Sequence, residues 1–356
     1  MSEVSVPVVT IRGIEHIPGA DAIELAVIGD YRSVVRKGQF QPGDVVAYIP
    51  EASVLPESLI ADLGLEGKLA GGQKNRVKAM KLRGCLSQGL LYRGELIGGL
   101  EVGDNAAHRL AITKYEPTIP SHMAGEVANL YGMTLPFDIE NFKRYPDAIE
   151  EGESVEFTEK LHGTFCGVTI APGLDHPDMI DGDTLVYSKG LGARGLVFKD
   201  NEANAGNLYM QTIKSSGVIA KIKRDFPRAA LTILGEIYGD GVQDLRYGRR
   251  DKGFALFEVY WGAPGVGEYA PRALVAGFCR ELGIPRVPVL YSGPFSRSVM
   301  RDFTDGKTVA GDGAHIREGI VITPTFERRD PDIGRVILKS VSGAYLLRKG
   351  GTTEFS

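Results

Sequence analysis

The sequence predicts an α+β protein of more than one domain, a small closed β-barrel followed by a larger domain built on antiparallel sheets. Three observations lead there. A chain of 356 residues is long enough for two separate cores. The first 112 residues carry short β-rich runs at close, turn-punctuated spacing. Beyond residue 151 comparable runs alternate with helical stretches, with no internal repeat. The expected division is a barrel over 1–112, a connecting segment over 113–150 and a second domain over 151–356.

In the first domain, strands are expected over Val4–Ile11, Ile23–Ile28, Ser33–Val35 and Val45–Ile49. Turn signals at Pro18-Gly19-Ala20-Asp21, Lys37-Gly38 and Pro42-Gly43-Asp44 separate them. Residues 113–150, rich in Pro, Tyr and Asn, read as a connection. In the second domain the strands are Val155–Thr158, Gly167–Ile170, Thr184–Ser188, Leu231–Ile237, Phe254–Tyr260, Gly319–Ile322 and Arg335–Val341. Helices are expected over Asn204–Lys223 and Pro271–Leu282.

Hydrophobic residues at 43% and charged residues at 24% are ordinary for a globular chain. No apolar run approaches the roughly 18–20 residues that span a bilayer, and the amino terminus lacks a signal-like region. Three widely separated cysteines, Cys85, Cys166 and Cys279, argue against a disulfide framework or a cysteine zinc site, so the cytoplasm is the expected location. The net charge of −4 argues against a generic polyanion binder. Cations nevertheless cluster at Lys74, Arg76, Lys78, Lys81 and Arg83, and again at Lys221, Lys223, Arg224 and Arg228.

The chemistry centres on Lys160-Leu161-His162-Gly163. A lysine at a strand end, three residues before a glycine, suggests an amine nucleophile beside backbone that a phosphate can approach. Further along come Gly235-Glu236, Phe257, Glu318-Gly319-Ile320-Val321-Ile322 and Lys339. A lysine that attacks phosphorus must first lose its proton, against a reference pKa of about 10.4. The crowded phosphorus then needs preorganised cations, a carboxylate-held metal ion and an apolar face for the base. The sequence supplies a candidate for each.

In this order the residues resemble the covalent nucleotidyltransferases: ATP-dependent ligases, RNA ligases and messenger-RNA capping enzymes. Lys160-x-x-Gly163 matches the nucleophile motif, and Ser188-Lys189-Gly190 resembles the next one. Glu236 matches a ribose-holding glutamate, Phe257 the aromatic that stacks on the purine, Glu318 the metal-supporting glutamate and Lys339 the lysine on the α-phosphate. Ile17-Pro18-Gly19-Ala20-Asp21-Ala22-Ile23-Glu24 and Lys81-Leu82-Arg83-Gly84 through Leu91 resemble tRNA-binding OB-folds. With Lys-x-His-Gly and little chain after Lys339, the whole sequence resembles the Deinococcus-type RNA ligases. Those enzymes join an amino-terminal OB domain to an antiparallel-sheet (ATP-grasp-like) adenylyltransferase domain.

The resemblance implies an ATP-dependent RNA ligase that passes through a lysyl-AMP intermediate and uses Mg²⁺ or Mn²⁺. Lys160 and Lys339 are then catalytic. Glu159, Lys160, Leu161, His162, Gly163, Lys189, Arg194, Glu236, Phe257, Glu318 and Lys339 contact ATP or AMP, and Glu318 and Glu236 hold metal. The implied partner is nicked or broken RNA, or an RNA/DNA hybrid duplex, and no membrane. The alternatives are a GTP-dependent capping-like enzyme and a non-catalytic RNA-binding protein. Two departures stand out: Ile337 fills a slot that is basic in some relatives, and Lys189 replaces the usual arginine, with Arg194 expected to compensate.

Overall fold

A computed structural model describes residues 4–116 and 119–348. The chain forms two compact units. One comprises residues 4–116, 143–146 and 343–348, the other residues 119–142 and 147–342. Residues 113–150 thus divide between the units and carry short strands of their own. Thr113–Lys114 pairs with Ser53–Val54, Val127–Asn129 with Leu196–Phe198, and Glu140–Asn141 with Leu338–Val341.

The amino-terminal unit is built from short antiparallel sheets. Ile23–Ile28 is flanked by Gly13–His16 and Tyr31–Arg36, and Val45–Ile49 by Val8–Thr10 and Leu90–Tyr92. Alternation along Tyr31–Arg36 buries Tyr31, Ser33 and Val35 and exposes Arg32 and Arg36, so one face meets the core. The first strand is shorter than expected, Val8–Thr10 rather than Val4–Ile11, because the preceding Val6 and Pro7 pair with Asn105 and Ala106 in an isolated bridge.

The second unit contains two sheets. The larger has seven strands, in spatial order Val127–Asn129, Leu196–Phe198, Thr184–Ser188, Thr164–Ile170, Leu231–Gly239, Lys252–Trp261 and Glu268–Tyr269, all antiparallel. Cys166, Val168, Ile233, Ile237, Phe254 and Leu256 turn one face toward helices Leu208–Ser216, Val218–Asp225 and Arg272–Leu282, forming the main core. The single helix expected over 204–223 is therefore two. Gly217, at φ 67°, ends the first and begins the second, a conformation that favours glycine.

The smaller sheet has five strands: Glu140–Asn141, Leu338–Val341, Gly319–Pro324, Ser154–Glu159 and Val289–Pro294. The strand expected over Arg335–Val341 is shorter, Leu338–Val341, with Gly334–Arg335 pairing separately to Arg329–Asp330.

Candidate active site

Strand register brings the distant motifs together. Ser154–Glu159 runs antiparallel to Gly319–Pro324 with Glu159 opposite Ile320, and the Lys160 N–H continues the ladder by donating to the Gly319 carbonyl at 3.0 Å. Lys160 is thus laid beside Glu318, and its Nζ lies 2.6 Å from Glu318 Oε1. Glu318 is 1% exposed and the Lys160 side chain 15% exposed, so the pair is strongly desolvated. On the far side, Val321 pairs with both Thr158 and Lys339, and strand alternation places Lys339 on the same sheet face as Lys160.

His162 is buried behind the nucleophile. Its Nε2 lies 2.6 Å from Asp244 Oδ1 and its Nδ1 3.6 Å from Glu318 Oε2. Its backbone N–H donates to the Tyr247 hydroxyl at 2.5 Å. Burial raises the Tyr247 phenol, and the carboxylates of Glu318, Glu159 and Glu236 add to this against the opposing hydrogen bond from His162, so the accepting hydroxyl stays neutral. Gly163 is also constrained by the fold itself. A β-carbon there would meet the Ile237 carbonyl at 2.1 Å and Glu236 Cγ at 3.0 Å, so glycine is required by close strand approach before any phosphate arrives.

Glu236 sits opposite Phe165 and Ala255 on the seven-stranded sheet, on the face away from the helices. Phe257 falls where the register shifts, Leu234 pairing with Glu258 and Gly235 with Leu256. Such a bulge re-aims one side chain out of the ladder. The ring packs with Phe137 and Phe165 at centroid distances of 5.4 and 6.1 Å and borders Leu161, Ala255 and Val287. Behind it, Arg272 donates to the Phe257 carbonyl at 3.0 Å and to Glu258 at 2.5 Å. Arg335 joins Glu258 at 2.9 Å and Glu327 at 2.6 Å, with its guanidinium over the Tyr269 ring. This buried Arg–Glu–Arg network ties the strand carrying Phe257 to the approach of Lys339.

The remaining expected residues are placed differently from one another. Lys189 opens a short helical turn capped by Ser188 and lies 2.6 Å from Asp138. Burial pushes the Asp138 carboxyl up, but Lys189 and, more weakly, Lys339 outweigh it and hold the pKa below its ordinary value. Asp138 therefore pairs with Lys189 and lies within the electrostatic reach of Lys339. Arg194 is exposed and donates to its own Gly190 carbonyl at 3.2 Å, an arrangement that caps the turn. The Glu159 carboxylate accepts from the Thr308 hydroxyl and from the Val309 N–H at 2.9 Å, so it anchors the 308–310 loop and points away from Lys160. Sequence reading missed Asp138, Asp244, Tyr247 and the Arg272–Glu258–Arg335 network. Of these, Asp244 alone lies in a stretch with a local signal, the glycine- and aspartate-rich Gly239-Asp240-Gly241-Val242-Gln243-Asp244-Leu245.

A family model described as RNA ligase matches residues 153–341, more than half of the chain. The chain belongs to the RNA ligase family. An OB-fold domain model matches residues 5–93. No curated protein matches in sequence. Among solved structures, Naegleria gruberi RNA ligase with pyrophosphate is similar at 25% identity and TM-score 0.78, covering 96% of this chain and 97% of that one. The same enzyme as a lysine-to-alanine variant with ATP and manganese matches at 23% identity and TM-score 0.79, covering 96% and 98%. An apo aspartate-to-alanine variant matches at 24% identity and TM-score 0.78, covering 97% of each chain.

Proposed function

We propose that this RNA ligase uses ATP to charge Lys160 with AMP, and that it seals RNA at nicks in a duplex. The observation that carries the reading is the buried Lys160–Glu318 pair at 2.6 Å, with Lys339 on the same sheet face. The solved relative is described with ATP, with AMP and with pyrophosphate, the substrate and products of such a site.

Lys160 Nζ gives up a proton, with Glu318 the carboxylate in hydrogen-bond reach, and attacks the α-phosphorus. The N–P bond forms as the bond to pyrophosphate breaks. A 5′-phosphate oxygen of the RNA then displaces Lys160 from the AMP and restores the amine. Finally the adjoining 3′-hydroxyl attacks the activated 5′-phosphate, a P–O bond forms, AMP departs and the hydroxyl proton is released. Lys339 and Lys189 supply the cations that offset charge building on the phosphoryl oxygens.

The residues fit a divalent cation. Glu318 Oε2 is buried with no hydrogen-bond partner, its near neighbour His162 Nδ1 standing off at 3.6 Å, so it keeps an acceptor for a cation. Mg²⁺ is commonly held by one or two carboxylates plus phosphate oxygens. A bound cation would be held by Glu318 and would neutralise triphosphate charge.

The test is incubation with α-labelled ATP and Mg²⁺, followed by denaturation. Label should stay on the wild type and be absent from Lys160→Met. That substitution leaves Glu318 buried without its lysine partner, at a cost of about 3–5 kcal/mol. Lys160→Met with Glu318→Gln should recover much of this stability while remaining inactive. A wild type that takes no label from any nucleotide donor would overturn the reading.

A further inference from the structure

The cationic stretch of the amino-terminal unit is not used by the nucleotide site. Between Glu66 and Glu95 the sequence contains no Asp or Glu but seven cations: Lys68, Lys74, Arg76, Lys78, Lys81, Arg83 and Arg93. In a chain of net charge −4 this is a strong local excess. Three of the seven are engaged internally. Lys68 donates to the Gly64 carbonyl, Arg76 stacks over Tyr115 and Arg93 pairs with Asp44. Among the described residues, Lys74, Lys78, Lys81 and Arg83 make no ion pair; Lys78 is half-buried and the other three are exposed.

Local geometry reinforces the charge. Met80–Leu82 and Cys85–Ser87 form a two-stranded ribbon, and all three residues of Met80–Leu82 are exposed. Its turn is Arg83-Gly84, at φ 47° and 86°. Positive φ at both central residues matches the right-handed twist of a hairpin, but the first position ordinarily takes Asn, Asp or Gly. Lys74 stands at another turn tip, at φ 54°. Holding a long cationic side chain in the left-handed region costs about 1–2 kcal/mol. Strain of this kind, at two tips that both end in an unpaired cation, is characteristic of binding surfaces. Met80 and Leu82 leave 42% and 36% of their surface open beside these charges.

We infer that Lys81 and Arg83 on the ribbon and its turn, with Lys78 and Lys74 in the segment that leads into it, form the surface that grips the phosphodiester backbone of the RNA being sealed. The inference rests on the ligase reading and adds where the unit without the nucleophile meets the substrate. Three or four unpaired cations with no carboxylate in the stretch between them suit a polyanion. No base-reading group is required, so the contact is independent of sequence.

The experiment compares the full-length protein with a Lys78→Ala, Lys81→Ala, Arg83→Ala variant on a nicked RNA duplex between 50 and 200 mM salt. Losing three phosphate contacts reduces the slope of log affinity against log salt by roughly 2.7, from about 0.9 per contact. The wild-type advantage should therefore shrink by roughly forty-fold across that range. Labelling of Lys160 by ATP should be unchanged. A charge-keeping variant, Lys78→Arg, Lys81→Arg, Arg83→Lys, should bind with the wild-type slope. Wild-type affinity and slope in the alanine variant would overturn the inference. So would weaker binding with an unchanged slope, the result of structural damage alone. A wild type that cannot be labelled would instead defeat the ligase reading, independently of how the duplex binds.

Discussion

Gly163→Ala separates two reasons for the glycine of the nucleophile motif. If glycine served only to admit a phosphate, alanine would leave the nucleotide-free protein as stable as before and would weaken ATP alone. The structure gives another result. The added carbon would stand 2.1 Å from the Ile237 carbonyl oxygen and 3.0 Å from Glu236 Cγ. The carbonyl cannot swing aside cheaply, because Thr164 and Ile237 are paired in the sheet. The strand carrying Lys160 must then move by about an ångström, an overpacking that costs about 1–3 kcal/mol. At about 2–4 °C per kcal/mol for a unit of this size, Tm should fall by about 2–12 °C without nucleotide. Lysyl-AMP formation should drop at the same time, since Glu236 and Lys160 shift together. Differential scanning calorimetry of the nucleotide-free variant, paired with label incorporation, reads both. An unchanged Tm would refute the steric argument, whatever happened to activity.

Asp138→Asn should lower the ATP concentration that half-saturates labelling by several-fold, because it frees Lys189 and Lys339 from a competing carboxylate. Its acid-side signature follows from sign: a carboxyl depressed on folding adds stability above its ordinary value near 3.8 and loses it as pH falls through the folded value. The Asn variant should thus show a shallower stability loss across that interval, measured by denaturant titration at stepped pH. Thiol reactivity checks the core. Burial, with Glu236 adding to it, raises Cys166 far above the ordinary thiol, and burial pushes Cys279 up to about 11, whereas Cys85 is half-buried. At pH 8 one thiol per chain should react in the native state and three in denaturant; a second fast native thiol would contradict the packing.

Much of the framework was legible in the sequence. Ile23–Ile28, Val45–Ile49 and Thr184–Ser188 have the same bounds in sequence and structure, because apolar runs there end at clear turn residues. Strands over Leu231–Gly239 and Lys252–Trp261 extend one to two residues past expectation, since ladder pairing continues after the hydrophobic pattern stops. The Gly217 break was missed because a lone glycine in a helical pattern is tolerated as often as it terminates. Within the site, residue types were readable but register was not. Nothing local to Lys160 says that Glu318, 158 residues away, lies opposite it. Phe257 likewise looks like an ordinary strand residue until the bulge turns it aside. The two arginines on Glu258 belong to segments whose own patterns carry no hint of a shared partner.

That three-residue ionic knot gives the enzyme its rigidity before any substrate arrives. Replacing it with well-fitted hydrocarbon could yield a sturdier protein by the usual accounting for interior charges. It would also let the aromatic wall and the phosphate-side lysine drift independently. With the knot in place, much of the ordering of the cleft is completed during folding, leaving ATP to supply less of it on entry.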